Sequence, residues 1–222
     1  MIVPAGSANF ELWLAVIASG LYHGINPGMG WPLAVAAGLM ERRAAALFSA
    51  LGALAIGHFA AMAIVLLPFA ILTMLAHLSR DIQIAAALLV IVFGLFLLIR
   101  RRHPRALARI RPTQLALWSF AIAIAHGAGL MLVPIYLGIC TTSGTHAMAH
   151  GTAGTLVTSN LELALLVSTI HAIAVVVAGC IIAWVVYRYA GLQVLSKAWI
   201  NFDAFWAASL VLVGVAALLS SL

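Results

Sequence analysis

Acidic side chains are scarce in this chain: five Asp and Glu among 222 residues, against eleven Lys and Arg. Charged residues of both signs make up 7% of the sequence and hydrophobic ones 65%. That balance excludes an ordinary soluble domain, which carries roughly a quarter charged residues, and puts the chain among membrane proteins. There are only two cysteines, Cys140 and Cys180, both in the second half. Their spacing gives neither a disulfide framework nor a metal pair, so they read as buried apolar thiols. HExxH, GxSxG and paired aspartates are missing, which counts against an intramembrane enzyme. With no nucleotide-binding motif either, any energy coupling falls to an ion gradient. The opening residues MIVPAGSANFE hold no Lys or Arg, so a cleaved signal peptide would lack its basic start. Long polar segments are missing too, and the expectation is a protein that is essentially its membrane core.

The net charge of +6 would fit a nucleic-acid partner, but the placement of the charges excludes one. All the Lys and Arg except Arg80 fall in three short stretches: Arg42/Arg43, the six arginines between Arg100 and Pro112, and Arg188/Lys197. Each stretch separates hydrophobic runs long enough to span ~30 Å of hydrocarbon, which takes about 20 residues. The runs are residues 10–40, 44–75, 82–98, 114–139, 161–186 and 205–219. His77, Arg80 and Asp81 mark a loop between the second and third, and residues 141–159, rich in Gly and Thr, a loop between the fourth and fifth. Six crossings put the three basic stretches on one face. By the positive-inside rule the expectation is a multi-pass protein of a bacterial-type inner (plasma) membrane with both termini outside the cytoplasm. The arginine-rich linker reads as a topology determinant that contacts anionic lipid.

The first run is too long for one straight span, and it contains HGINPGMGWPLAVAAGL, residues 23–39. We read it as a single crossing broken at Asn26-Pro27-Gly28. In lipid such a break survives only where other groups satisfy the freed backbone or where it lines a cavity. The chain also repeats itself. ELWLAVIASGLYHG (11–24) aligns without gaps with QLALWSFAIAIAHG (114–127), both ending in His-Gly. IGHFA (56–60) pairs with TIHAI (169–173), and Asp81 followed by Ala85-Ala86 pairs with Asp203 followed by Ala207-Ala208. Three helices per half is an odd number, so the halves enter the membrane from opposite sides. The predicted fold class is an all-α membrane protein of six transmembrane helices. They form a 3+3 inverted-topology repeat of residues 1–112 and 113–222, with the first and fourth helices broken, and a site belongs at the repeat interface near the midplane.

Four of the eight histidines fall inside the runs: His23, His58, His126 and His171. At ~1.5 Å per residue, His23 lies about 19 Å in from residue 10, His126 about 20 Å in from residue 113, His171 about 16 Å from residue 160 and His58 about 22 Å from residue 43. A single histidine at such depth is most simply a hydrogen-bonding link between helices. Four at matched repeat positions point instead to a shared polar cavity. Imidazole suits Zn, Cu, Ni and Co, and it also suits a proton relay. The core has no carboxylate except Glu162 near the outer end of the fifth run, so no permanently bound cofactor is expected. The expected site is transient: His23, His58, His126 and His171 with Met29 as metal ligands, joined by substrate-binding Asn26 and the backbone carbonyls freed by Pro27 and Gly28, with Gly127 at the second break. Met29 and Met131 serve as soft donors or as plain packing. His146 and His150 form a candidate metal-collecting loop, while His77 and His103 read as solvated. Transport through neutral imidazoles should weaken as pH falls through roughly 6.5.

The Asn-Pro-Gly break, the basic turn after it and the stretch ALFSALGALAIGHFAAMAIVLL resemble the start of LysE-superfamily transporters, whose 3+3 plan looks similar over most of the chain. Within that superfamily the sequence is most similar to the NicO nickel/cobalt transporters. The resemblance implies a metal-handling role for His23, Pro27, Gly28 and His58, which match the positions of that family's motif. Met29 stands where the family's second histidine would be, and Asn26 or Pro27 replaces the acidic residue of the importer motif. The thiol-relay proteins related to CcdA share the 3+3 plan but need a cysteine in each half, and the first half here has none.

The leading expectation is a secondary transporter, an exporter by preference, of a transition-metal cation (Ni, Co, Zn or Cu) or a similar small solute. Its partners would be the lipid bilayer and that solute, with a homo-oligomer left open. The alternative is a non-transporting membrane subunit that assists assembly of, or metal delivery to, a redox or metallo-enzyme.

Overall fold

In the computed structural model the backbone is described for residues 5–72, 79–100, 114–147, 153–190 and 202–221, and throughout these it is helical with short breaks. In chain order the elements are α1 (Ala5–Ile25), a 3-10 turn (Pro27–Met29), α2 (Trp31–Glu41), α3 (Ala44–Leu72), α4 (Ser79–Arg100), α5 (Leu115–Ala125), α6 (Ala128–Ala147), α7 (Ala153–Val185) ending in a π turn (Val186–Ala190), and α8 (Phe202–Ser221). Four stretches within α3, α4, α7 and α8 are long and apolar enough to cross a membrane, and α5 with α6, bent by 64° at their junction, makes five if the pair is one span. This is the pattern of a multi-pass membrane protein. Large apolar side chains face outward along these helices, as with Ile99, 83% exposed, and Leu212, 71% exposed. Hydrocarbon accommodates such a surface, whereas water penalises it.

Both predicted breaks occur where the sequence put them. Gly30 at φ 100° and Gly127 at φ 68° take left-handed conformations that a residue with a Cβ enters only under strain. The helices also run further than the sequence reading allowed. Residues 141–147, assigned to a loop, continue α6, and residues 153–159 already belong to α7. The Thr141 hydroxyl donates to the Gly138 carbonyl 2.9 Å away, so a small polar side chain here bonds to its own helix rather than breaking it. Arg80 and Asp81, taken as loop markers, sit in the first turn of α4. The Arg80 Nε–H donates to the Ser221 carbonyl at 2.9 Å, which ties the start of α4 to the end of α8. The arginine-rich linker, His77, His103, His150 and Lys197 lie outside the described residues.

Packing divides the bundle into two apolar clusters. One gathers Val16, Met62, Leu66, Val90, Tyr136 and Trp206; the other gathers Trp31, Val35, Leu47, Leu51, Leu54 and Val186. The principal helix pairs are α4 with α8, α1 with α7, α3 with α5, and α3 with α7. Helices in lipid approach closely through small residues, and here Gly20 and Gly24 bring α1 onto α7. A Cβ on Gly20 would lie 2.7 Å from the His171 carbonyl oxygen, and one on Gly24 would strike the Val175 carbonyl and come 2.9 Å from the Ala178 Cβ. Gly24→Ala should therefore lower stability by about 1–3 kcal/mol, the usual cost of overpacking, seen as a lower thermal midpoint in detergent. Gly52→Ala, which meets nothing within 4 Å, is the control and should be neutral or slightly stabilising.

Candidate functional site

Between the two apolar clusters lies a polar layer. His23 from α1, His58 from α3 and His171 from α7 are 0%, 4% and 1% exposed. Their ring centroids are 4.9 Å apart for His23–His58, 5.7 Å for His23–His171 and 5.6 Å for His58–His171. Three helices thus each deliver one imidazole to a common point. The close approach at Gly20 and Gly24 sets the distance between the first and third.

The hydrogen bonding of the triad is incomplete. Both ring nitrogens of His23, Nε2 of His58 and Nε2 of His171 are buried without a hydrogen-bond partner. A buried polar atom left unpaired costs about 1–3 kcal/mol, so four in one place call for a functional account. Only His171 has a visible orienting contact. Its Nδ1 lies 3.2 Å from the Ser19 hydroxyl oxygen, and that hydroxyl donates its own proton to the Val16 carbonyl at 2.9 Å. Nδ1 of His171 is therefore the donor in this contact, and the lone pair of the neutral ring sits on the unpartnered Nε2.

His126 is held differently. Its Nδ1 is 3.0 Å from the Ile122 carbonyl one turn back in α5, and its own carbonyl accepts the Trp206 indole N–H at 2.7 Å. Convergence of four histidines is thus seen for three. The reason is the break itself: His126 caps α5 just before Gly127 turns the chain, and its ring folds back on its own helix. It reaches the triad through Trp206, whose ring centroid is 4.2 Å from that of His23.

The break at Asn26 is likewise self-satisfied. Asn26 Oδ1 accepts the Gly28 N–H at 2.9 Å. The carbonyls of His23, Asn26 and Pro27 accept the backbone N–H groups of Asn26, Met29 and Gly30, and that of Ile25 accepts the Trp31 indole at 3.1 Å. The Asn26 side-chain oxygen and these carbonyls, expected as ligands, are engaged in closing the turn. Asn26→Ala should cost about 0.5–2 kcal/mol as a lost cap, while Asn26→Ser or Asn26→Thr should preserve both stability and flux. Thermal melts and transport assays on the three variants distinguish a cap from a ligand.

Met29, 8% exposed, lines a cavity of about 30 Å³ together with Trp31, Leu54, His58, Ser119 and Val175. That is room for water, on the α2 side of the triad. Ser119 donates to the Leu54 carbonyl at 2.7 Å, so its hydroxyl proton is used. As they stand, no three His, Cys, Asp or Glu side chains among the described residues are arranged to hold a metal ion. The carboxylates whose side chains the structure describes, Glu11, Glu41, Asp81 and Glu162, are all exposed.

Trp206, Trp31, Ser19 and Ser119 escaped the sequence reading. Tryptophan and serine in an apolar helix have no period to betray them. The one available signal was asymmetry: in the repeat alignment Trp206 falls opposite Ile84. Compared with protein families, with curated proteins and with solved structures, the chain matches none.

Proposed function

We propose that this chain is a secondary transporter of a transition-metal cation or similar small solute, exporting it across a bacterial-type inner membrane through the layer formed by His23, His58 and His171. The carrying observation is the set of four buried, unpartnered imidazole nitrogens at the meeting point of three helices. A buried ring nitrogen with a purely structural role finds a partner, and these four have none. An apolar cluster on either side gives the layer the character of an occluded site. The cavity at Met29 and His58 gives the site an approach from the α2 side, which the positive-inside reading makes cytoplasmic.

The six-crossing 3+3 plan belongs to the same proposal. Exchanging the halves turns the α1–α7 pair into α5–α3 and leaves α3–α7 and α4–α8 as pairs of equivalent helices, and these are the principal pairs of the bundle. The halves depart from symmetry in α6, which packs chiefly on α3 and α1 of the other half and only lightly on α7, whereas α2 packs chiefly on α3 of its own half. With its likeness to LysE-type and NicO-type sequences at the first break, the plan fits a rocking carrier.

The second reading is a non-transporting subunit that assists a metallo-enzyme. On its side stands the lack of a ready-made metal geometry among the described residues. Flux separates the two. Purified protein in proteoliposomes should take up or release a metal ion at a saturable rate, and His58→Leu or His171→Leu should reduce that rate at least tenfold without unfolding the protein. Wild-type vesicles no more permeable than empty ones, across Ni, Co, Zn and Cu, would leave the subunit reading standing.

A further inference from the structure

We infer that the cation this site takes is soft and monovalent, of the copper(I) or silver(I) class, rather than divalent. This rests on the reading of the triad as a transport site. The first argument is spacing. An ion bound by one nitrogen of each ring at ~2.0–2.1 Å places three imidazole centroids about 5.5 Å apart in a trigonal plane. The observed separations are 4.9, 5.6 and 5.7 Å. The rings already stand at the distances of a three-coordinate set. As they stand, no three such side chains among the described residues are arranged to hold a metal ion. Binding requires the rings to turn, and the torsion that aims a histidine ring is broad and soft.

The second argument is the donor inventory. Each ring has a buried nitrogen without a partner, and on His171 the Ser19 contact leaves Nε2 as the lone-pair atom. The set is three neutral nitrogens, one per helix. Trp206 walls it on one side, and the serines nearest to it already spend their protons on backbone carbonyls. Three nitrogens make a complete shell for a d10 monovalent ion, whereas zinc, with three protein ligands, takes a water in the fourth position. A soft donor shares the cavity with His58: Met29 lines it, and thioether ligands suit Cu(I).

The third argument is charge. The carboxylates whose side chains the structure describes, Glu11, Glu41, Asp81 and Glu162, are all exposed, so among the described side chains no buried carboxylate offsets the charge of an ion in the triad. The Born cost of burying a charge grows as its square, making an uncompensated divalent ion about four times as costly as a monovalent one. Carboxylate or thiolate ligands would supply the missing compensation for a divalent cation, and the triad has neither.

The test uses full-length protein carrying Cys140→Ser and Cys180→Ser, to remove thiols that bind silver, and purified without a histidine tag. Proteoliposomes are loaded in parallel with Ag⁺, Zn²⁺ and Ni²⁺. Saturable Ag⁺ flux at least tenfold faster than Zn²⁺ or Ni²⁺ flux is expected, lost in His58→Leu and reduced in Met29→Leu. Flux of Zn²⁺ or Ni²⁺ without Ag⁺ would overturn the inference while upholding transport. If no ion moves, the transport reading fails on its own, and Ag⁺ binding to the protein in detergent decides the rest. One Ag⁺ per chain with nitrogen neighbours in X-ray absorption, abolished in His171→Leu, upholds a monovalent site; no binding, or binding unaffected by His171→Leu, rejects it. Thermal melts of every leucine variant separate loss of the site from loss of the fold.

Discussion

Replacing His23 with leucine should abolish flux and leave the bundle as stable as before, or more so. His23 is 0% exposed and neither of its ring nitrogens has a partner. It therefore bears the desolvation cost of two polar atoms with no return from hydrogen bonding. Leucine is close to it in size, so the packing against Trp206 and His58 survives with little rearrangement. Removing the unpaired nitrogens should restore about 1–3 kcal/mol, read as an unchanged or higher thermal midpoint in detergent. The same substitution removes the ring that touches both of the other histidines, and with it the site. Stability that rises while activity vanishes is the signature of a residue kept for function. A His23→Leu protein that melts several degrees lower, or one that still transports, would assign the imidazole a structural bond and remove the triad from the mechanism.

The prediction also shows which parts of this molecule can be read from a one-dimensional string. The breaks at Pro27 and Gly127 were legible because Pro and Gly interrupt an apolar run visibly, and because lipid forbids such an interruption without compensation. The positions of His23, His58 and His171 were legible as depth, since a helix converts residue number into distance at a fixed rise. Orientation around the helix was not. His126 has the same depth and the same His-Gly signature as His23, yet its ring folds back on Ile122, because it caps a helix that ends there. Asn26 looked like a ligand and is a cap, and the two roles use the same oxygen. The helical run through residues 141–147 was hidden because Gly, Ser and Thr punctuate chains in water, whereas in a helix a hydroxyl can bond to the preceding turn, as that of Thr141 does to Gly138. The Trp206 contact joins positions 80 residues apart, and no local pattern encodes it.

Trp206 should prove the most sensitive position outside the triad. It is fully buried and does two things at once. Its ring closes against His23, with centroids 4.2 Å apart, and stacks on Tyr22 at 5.8 Å. Its indole N–H satisfies the His126 carbonyl at the second break, where the helix has surrendered its own donor. Trp206→Ala removes both, and the void it leaves should cost about 3–5 kcal/mol. His23 then loses the wall that fixes its ring, so flux should fall at least tenfold even in the fraction that stays folded. Trp206→Phe divides the two roles. It retains an aromatic face toward His23 and Tyr22 but removes the indole hydrogen bond to the His126 carbonyl, so it should cost about 0.5–1.5 kcal/mol while keeping most of the flux at a temperature well below its own melting point. Melting curves and transport rates of the two variants, measured side by side, yield the split. Should Trp206→Phe lose flux as completely as Trp206→Ala, the hydrogen bond to the break, not the ring against His23, would be what the site requires of this tryptophan. The α5–α6 junction would then move with the transport cycle, and its bend of 64° would be the angle to follow.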